Sequence, residues 1–440
     1  MSYASEQPRA KVVAQAIQNS AMYGNVDFEV TPERFVADIN IESAVREELL
    51  YLRPSVLSDN ELMERIKAYT MLGDVVADAY VALLPQFGMR KLMAMVELAC
   101  ERGVEAVEGA PPELASFIGS MERTPSWVDM NLVAEGARLE RNVSANLAPF
   151  TVRGAFLATF MNKYAALPMA LTGTLSHEAA ARRVRETATF FTTSVLPGAL
   201  DRYGPGFRAA ALVRLMHSVV RFNVLRTGQW DVSTYGIPIP QVDQMPAGLI
   251  GATLLSLRVV RAGRKTFTRS ERARVELSRY RCFLLGLPED LLSTTPEGIL
   301  RMMTARSGTL RKAYDDATCG ELVRATMAAY LPTKNDLGHR IHDRFERSFA
   351  KVFFVKNFMQ GDIQKASAIG VVLTRQDRFR ALAVLSVVAT RMVFYSLTAK
   401  LPLAGKLADR ALVKRLKRLL KEYGHAAYTS DGAAYRSATH

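Results

Sequence analysis

Residues Ala211–Leu225 read ALVRLMHSVVRFNVL. Apolar side chains recur three and four positions apart, which is the period of an α-helix and not the alternation of a strand. The polar exceptions, Arg214, His217 and Arg221, fall at i, i+3 and i+7 and therefore share one face of that helix. A guanidinium group cannot shed its charge, so burying this face requires anions in place. Two sources would serve: Asp or Glu from adjacent helices, or a bound anionic group beside the imidazole.

Outward from this stretch the helical period continues almost everywhere, and sustained alternating runs of β-branched residues are nearly absent, so the expected fold class is all-α, a single large helical domain. Helices are expected over Asn60–Gly103, Trp127–Tyr164, Glu178–Leu196, Phe207–Arg226 and Thr268–Leu285, with a break at Gly109–Pro112. Ser126 with Asp129, Thr268 with Glu271, and Thr295 before Pro296 carry the chemistry of helix starts. The segment Trp230–Pro246, WDVSTYGIPIPQVDQMP, is too rich in Pro and Gly to be expected as helix. The organisation this suggests is a peripheral N-terminal segment over residues 1–45, a helical core over 46–300, and a helical C-terminal extension over 301–440.

The 440 residues are 49% hydrophobic and 23% charged, a globular balance with ample material for a core. Lys and Arg outnumber Asp and Glu by 57 to 43, a surplus that attracts anionic partners. Part of it is local: Lys400–Lys421 holds eight basic residues and one acidic one. Within it LVKRLKRLLK, Leu412–Lys421, sets leucines on one face and cations on the other, a basic amphipathic helix near residues 405–422 suited to an acidic membrane surface. Ala381–Ala399 is the most apolar long stretch, but Arg391 at its middle would cost about 2.5 kcal/mol or more in hydrocarbon, so a buried helix is expected there and not a span. The N-terminus MSYASEQPRAKVVAQ lacks the pattern of a secretory signal, and the expected location is the cytoplasm, with peripheral membrane contact.

Cys100, Cys282 and Cys319 are too scattered for a CxxC metal site, a disulfide framework or a CxxCH haem attachment. The chain contains no GxxxxGK[ST], no GxGxxG after a strand, no GxSxG and no HExxH, which removes support for ATP, NAD and the ordinary hydrolases. No nucleic-acid partner is expected. His339 and His342 form an HxxH pair near Asp336 and Asp343, an alternative site for a non-haem metal whose plainer explanation is the solvated face of a charged helix. His425, the last residue of Glu-Tyr-Gly-His, and His440 fall in a polar tail. A non-enzymatic alternative is a membrane-surface helical binding protein.

Four fragments occur in order: PSWVD at Pro125–Asp129, RRVRET at Arg182–Thr187, VRLMHSVVR at Val213–Arg221, and QWDVSTYGIPIPQVD at Gln229–Asp243. Together they resemble the helical haem b oxygenase family of latex-clearing proteins and MpaB, over about Pro125–Gly263. The resemblance implies an oxidoreductase with non-covalent haem b, in which His217 is the iron ligand and Arg214 and Arg221 flank it, with Arg183 and Thr187 on the distal side. Family members of known activity cleave carbon–carbon double bonds of isoprenoid chains with dioxygen, so an apolar unsaturated small molecule is the expected substrate. Rubber-cleaving relatives carry a lysine just before the matching threonine, where this chain has Glu186, either a candidate distal base or an ordinary surface carboxylate paired with Arg182 or Arg183. Their upstream glutamate has no counterpart either, since Asn162–Ser176 contains no carboxylate. Both departures set this chain apart from rubber cleavage.

Overall fold

The computed structural model describes residues 8–173, 175–228, 230–424, 426 and 428. Among them the regular structure is helical, and β pairing is confined to the isolated bridges Phe35–Leu310 and Ser43–Arg311, so the all-α expectation holds. The described residues gather into two compact units, each assembled from separate stretches: residues 8–136 with Leu200–Ala313, and Ala137–Ala199 with the described residues from Tyr314 onward.

At the heart of the first unit is the helix Pro205–Arg226, which packs on Val75–Val81 and Met89–Arg102 and buries Phe207, Leu215, Val219 and Val224. Its start is set by Gly204 and by Pro205, whose missing N–H costs nothing in a first turn. The helix Gln241–Arg261 lies against Arg269–Leu284 and Pro296–Thr309. Thr268 and Glu271 form the expected capping box, and Thr295 accepts from the Gly298 N–H as expected.

Three expectations for this unit are corrected. Asp129, not Ser126, caps the helix Met130–Asn146, because its carboxylate reaches the N–H groups of Asn131 and Leu132 at 2.9 and 3.3 Å. The Pro-rich segment is helical over Val232–Tyr235 and again from Gln241 onward; Pro246 sits inside the second helix, where it removes one backbone donor without ending it. Within the expected peripheral segment over residues 1–45, the described part, residues 8–45, is built into the core, since Gln15, Tyr23 and Arg34 are fully buried and bonded to Gly73, Asp78 and Asp243.

The second unit is centred on Ala148–Ala158 and Leu337–Phe358, whose facing side chains Phe156, Leu157 and Phe354 share a core with Phe160, Leu322 and Val323. Arg153 is fully buried there and is satisfied by Glu346 at 2.9 Å and by the carbonyls of Thr326 and Ala329 at 2.6 and 2.8 Å. The helix His177–Thr193 packs on Pro402–Tyr423, in which Leu412 and Leu416 face inward and the cations outward, the expected amphipathic arrangement. The helix Arg375–Thr398 is not the buried helix expected: only 17% of its most apolar window is covered.

Candidate functional site

The Pro205–Arg226 helix turns Arg214 and Arg221 onto a pair of carboxylates one helical turn apart. Asp74 caps the helix Val75–Val81 by accepting from the Ala77 N–H, and it receives Arg214 in fork geometry, Nε to Oδ2 at 2.6 Å and Nη2 to Oδ1 at 2.7 Å. Asp78 pairs with Arg221, and both side chains are wholly buried. Arg221 also donates Nε to the Pro238 carbonyl at 3.0 Å and Nη2 to the Ile239 carbonyl at 2.7 Å. The anions that the sequence demanded for these arginines therefore come from the chain itself. Through these pairs Arg214 and Arg221 brace the helix that carries His217.

Burial pushes the Asp78 carboxyl up, against the pull of Arg221. Burial first, and then the charge of Asp78, push the Tyr23 phenol well up, so Tyr23 stays a hydroxyl and donates to Asp78 Oδ2 at 2.6 Å. This packing leaves no room for side chains at two glycines. A Cβ at Gly73 would run into the Tyr23 hydroxyl and Asp78, and at Gly286, whose φ is 85°, into Asp74 and the Arg214 guanidinium.

His217 points elsewhere. Val213, Met216 and His217, at i, i+3 and i+4, are the incompletely covered positions of the central turns, so the imidazole lies on the more open face of its helix. Its Nδ1 is 3.2 Å from Gln244 Oε1, Gln244 Nε2 donates to Gln241 Oε1 at 2.9 Å, and Gln241 Nε2 donates to the Gly73 carbonyl at 3.0 Å. A carbonyl only accepts, so the anchor at Gly73 fixes both amides in turn. Gln241 must present its oxygen to Gln244, Gln244 must present its oxygen to His217, and Nδ1 must carry the proton. Nε2 is thereby the basic nitrogen, the form in which an imidazole binds a metal.

The Gly236–Pro240 loop delivers this relay. Ile237 donates to the Thr70 carbonyl, Gln241 donates its own N–H to Leu72 at 2.8 Å, and Ile239 adopts a φ of 49°, strained for a β-branched residue, while Arg221 holds its carbonyl. Trp230 locks the same loop through Nε1 to the Gly236 carbonyl at 2.6 Å, and Asp243 is held by Arg34 and Arg306 at 2.7 and 2.8 Å. Sequence reading missed Asp74, Asp78, Gln241 and Gln244. The signal was present in the single-turn spacing of the two acids within the apolar DVVADAY and in the i, i+3 spacing of the two amides.

Arg183, Glu186 and Thr187 lie on the helix His177–Thr193 of the second unit. Glu186 is buried, accepts from Arg183 Nη1 at 3.0 Å and from the Tyr428 N–H at 3.2 Å, and so is an ion-paired carboxylate held in one orientation. Thr187 is half-buried on the same helix.

His339 belongs to a helix start, where Asp336 accepts from its N–H and lies 2.7 Å from its Nδ1, and His342 packs on Phe150. Among the described residues no three or more His, Cys, Asp and Glu side chains converge as a metal site, and His425 lies outside them. The three cysteines are free and buried; burial pushes Cys100 and Cys282 up to about 12 and Cys319 to about 11, so none is a thiolate at neutral pH.

A helical protein whose central helix presents one oriented histidine matches a known class. Residues 112–360 match the family described as "ER-bound oxygenase mpaB/B'/Rubber oxygenase, catalytic domain", and the chain belongs to that family. The match reaches beyond Pro125–Gly263 on both sides. A solved structure described as "Structure of Latex Clearing Protein LCP in the closed state" shares the fold, with a TM-score of 0.52 and 18% identity over 80% of this chain and 91% of that one. No curated protein sequence matches.

Proposed function

We propose that this member of the oxygenase family is a haem b-dependent enzyme that uses dioxygen on an apolar unsaturated substrate, isoprenoid-like or lipid-like, by cleaving a carbon–carbon double bond. The observation that carries the reading is the His217–Gln244–Gln241–Gly73 relay, which orients one imidazole with Nε2 as its basic nitrogen. The residues present fit the group, because a porphyrin brings four nitrogens of its own and asks the protein for one axial base on an apolar wall. His217 supplies the base, and Val213 and Met216 beside it supply apolar surface.

When bound, the haem iron supplies the dioxygen chemistry. The protein's share is binding, orientation and exclusion of water. Gln244 keeps the imidazole ring from rotating and, by accepting from Nδ1, makes Nε2 more basic. Asp74 and Asp78 hold the helix through Arg214 and Arg221, so the ring's position is set by buried ion pairs and not by a mobile loop. By family resemblance Arg183 and Thr187 serve on the distal side. Glu186, held by Arg183 and the Tyr428 N–H, is the carboxylate that would take a proton from substrate and return it to product, leaving the overall proton balance unchanged.

Cleavage adds both atoms of dioxygen across the double bond and leaves two carbonyl groups, so electrons balance without an outside reductant. The test is to supply the haem-loaded chain with short isoprenoid and unsaturated fatty probes and labelled dioxygen, with no reductant cycle. Dioxygen uptake matched by carbonyl products labelled at both new ends is expected. Uptake that occurs only with a continuous reductant, or no carbonyl product from any probe, would overturn the cleavage reading.

A further inference from the structure

The helix Arg375–Thr398 and the helix Pro402–Tyr423 form a hairpin whose outer surface is unlike the rest of the second unit. One face of the first helix is committed to the protein, with Ala381, Val384 and Val388 packed on Phe349. Its opposite face exposes Phe379, Leu382, Val393 and Leu397, which follow one another by three, eleven and four positions, close to whole helical turns, and so form one stripe. The stripe continues past the turn at Ala399–Leu401 into Leu403, 79% exposed, and Leu407, 64% exposed. Exposed large apolar side chains gathered on one face in this way mark an interaction surface.

Charge identifies what covers it. Residues 375–423 hold twelve Lys and Arg and three acidic residues. Two of those acids are neutralised within the fold, Asp377 by Lys351 at 3.0 Å and Asp409 by Arg141. No acidic residue occurs from Arg378 to Ala408, and from Lys406 onward the exposed positions of the second helix turn basic at Lys406, Arg410, Lys414 and Lys417, one face of that helix. A second copy of this chain would bring the same cations against these. An anionic bilayer answers both features, taking the apolar stripe among its acyl chains and the basic face at its headgroups.

We propose that this hairpin docks the protein on anionic membranes, with Arg375–Thr398 lying in the plane of the interface and the Pro402–Tyr423 cations contacting the headgroups. The helix is about 36 Å long, enough to span. In-plane docking is required nonetheless, because its inner face is already packed on the protein and Arg391 interrupts its apolar stretch. Such docking would place the enzyme on the phase in which apolar molecules collect, a consequence that rests on the proposed function, whereas the docking itself does not.

The test uses the full chain and vesicles of phosphatidylcholine, with and without phosphatidylglycerol, in a co-sedimentation assay that involves no haem and no substrate. Failure here is therefore distinct from failure of the oxygenase reading. The protein is expected to sediment with phosphatidylglycerol vesicles and to be released by salt. F379S/L382S/V393S/L397S, which alters exposed positions, is expected to keep its melting temperature and to bind more than about tenfold more weakly. K406Q/R410Q/K414Q/K417Q is expected to lose the preference for phosphatidylglycerol. The proposal is overturned if the wild type binds neither vesicle, or if the serine variant binds like the wild type. It is also overturned if light scattering shows a dimer that the serine substitutions convert to a monomer, since a second copy would then cover the stripe.

Discussion

Replacing Gln244 with Leu keeps the size of the side chain and removes the acceptor of the His217 Nδ1–H. Two losses follow from the geometry. The imidazole loses the partner that sets its orientation at 3.2 Å, and Gln241 Oε1, on a residue 1% exposed, loses the amide that donates to it at 2.9 Å. A neutral hydrogen bond contributes about 1 kcal/mol net, and stranding a buried acceptor costs about 1–3 kcal/mol. The second loss falls on folding and the first on metal binding, where removal of such a partner typically weakens affinity about ten- to a hundredfold. Haem titration of the purified chain, followed by absorbance, should show Gln244→Leu binding at least about tenfold more weakly than wild type. Gln244→Glu should retain binding and lower the reduction potential, because a carboxylate draws the Nδ1 proton harder and gives the iron a more anionic ligand. If Gln244→Leu binds haem with unchanged affinity and an unchanged iron–imidazole stretching frequency, the relay does not position His217, and the argument built on it fails.

Asp78→Ala leaves the wholly buried Arg221 charge without its partner and should destabilise the chain by about 3–5 kcal/mol in denaturant melts. The double variant Asp78→Ala/Arg221→Met should recover much of that loss, and additive effects would show that the two side chains are not coupled. Gly286→Ala should lower the melting temperature, since the new methyl meets Asp74 and Arg214 at a positive φ; an unchanged melt would mean that the ion pair has slack. Asp377 gives a pH signature. Burial alone would push its carboxyl up, but the Thr374 N–H, the Ser348 and Thr374 hydroxyls and Lys351 outweigh burial and hold it at about 2. A depressed carboxyl stabilises the fold above the ordinary carboxylate range and loses that contribution as pH falls through about 4 toward about 2, here about 2 kcal/mol. Asp377→Asn should flatten the acid limb of the stability profile, and an identical limb would remove Asp377 from the account.

Helical class, most helix borders and the central position of His217 were legible because they depend on local periodicity and capping chemistry. Thr268, Glu271 and Thr295 cap as their spacing implies, since a cap is decided within four residues. The partners of Arg214 and Arg221 were not legible, because Asp74 and Asp78 lie 140 and 143 positions away and pairing at that range is set by tertiary packing. Gln241 and Gln244 were hidden for a different reason: Pro238, Pro240 and Pro246 made the segment read as irregular, whereas Pro240 stands just before the helix and Pro246 costs it a single donor. For Arg375–Thr398 the apolar composition was plain, but composition reports what a helix prefers to touch and not whether the fold supplies it. In this chain most of that face is left for something else to cover.

The central claim is that His217 holds the iron through Nε2. The most direct test is the visible spectrum of the chain loaded with haem, compared with His217→Ala before and after adding free imidazole. The account predicts a Soret band and an axial-histidine signature in the wild type, loss of that signature with much weaker haem retention in His217→Ala, and its return when imidazole fills the space. A variant that retains haem with an unaltered spectrum and no response to imidazole would show that another residue is the ligand.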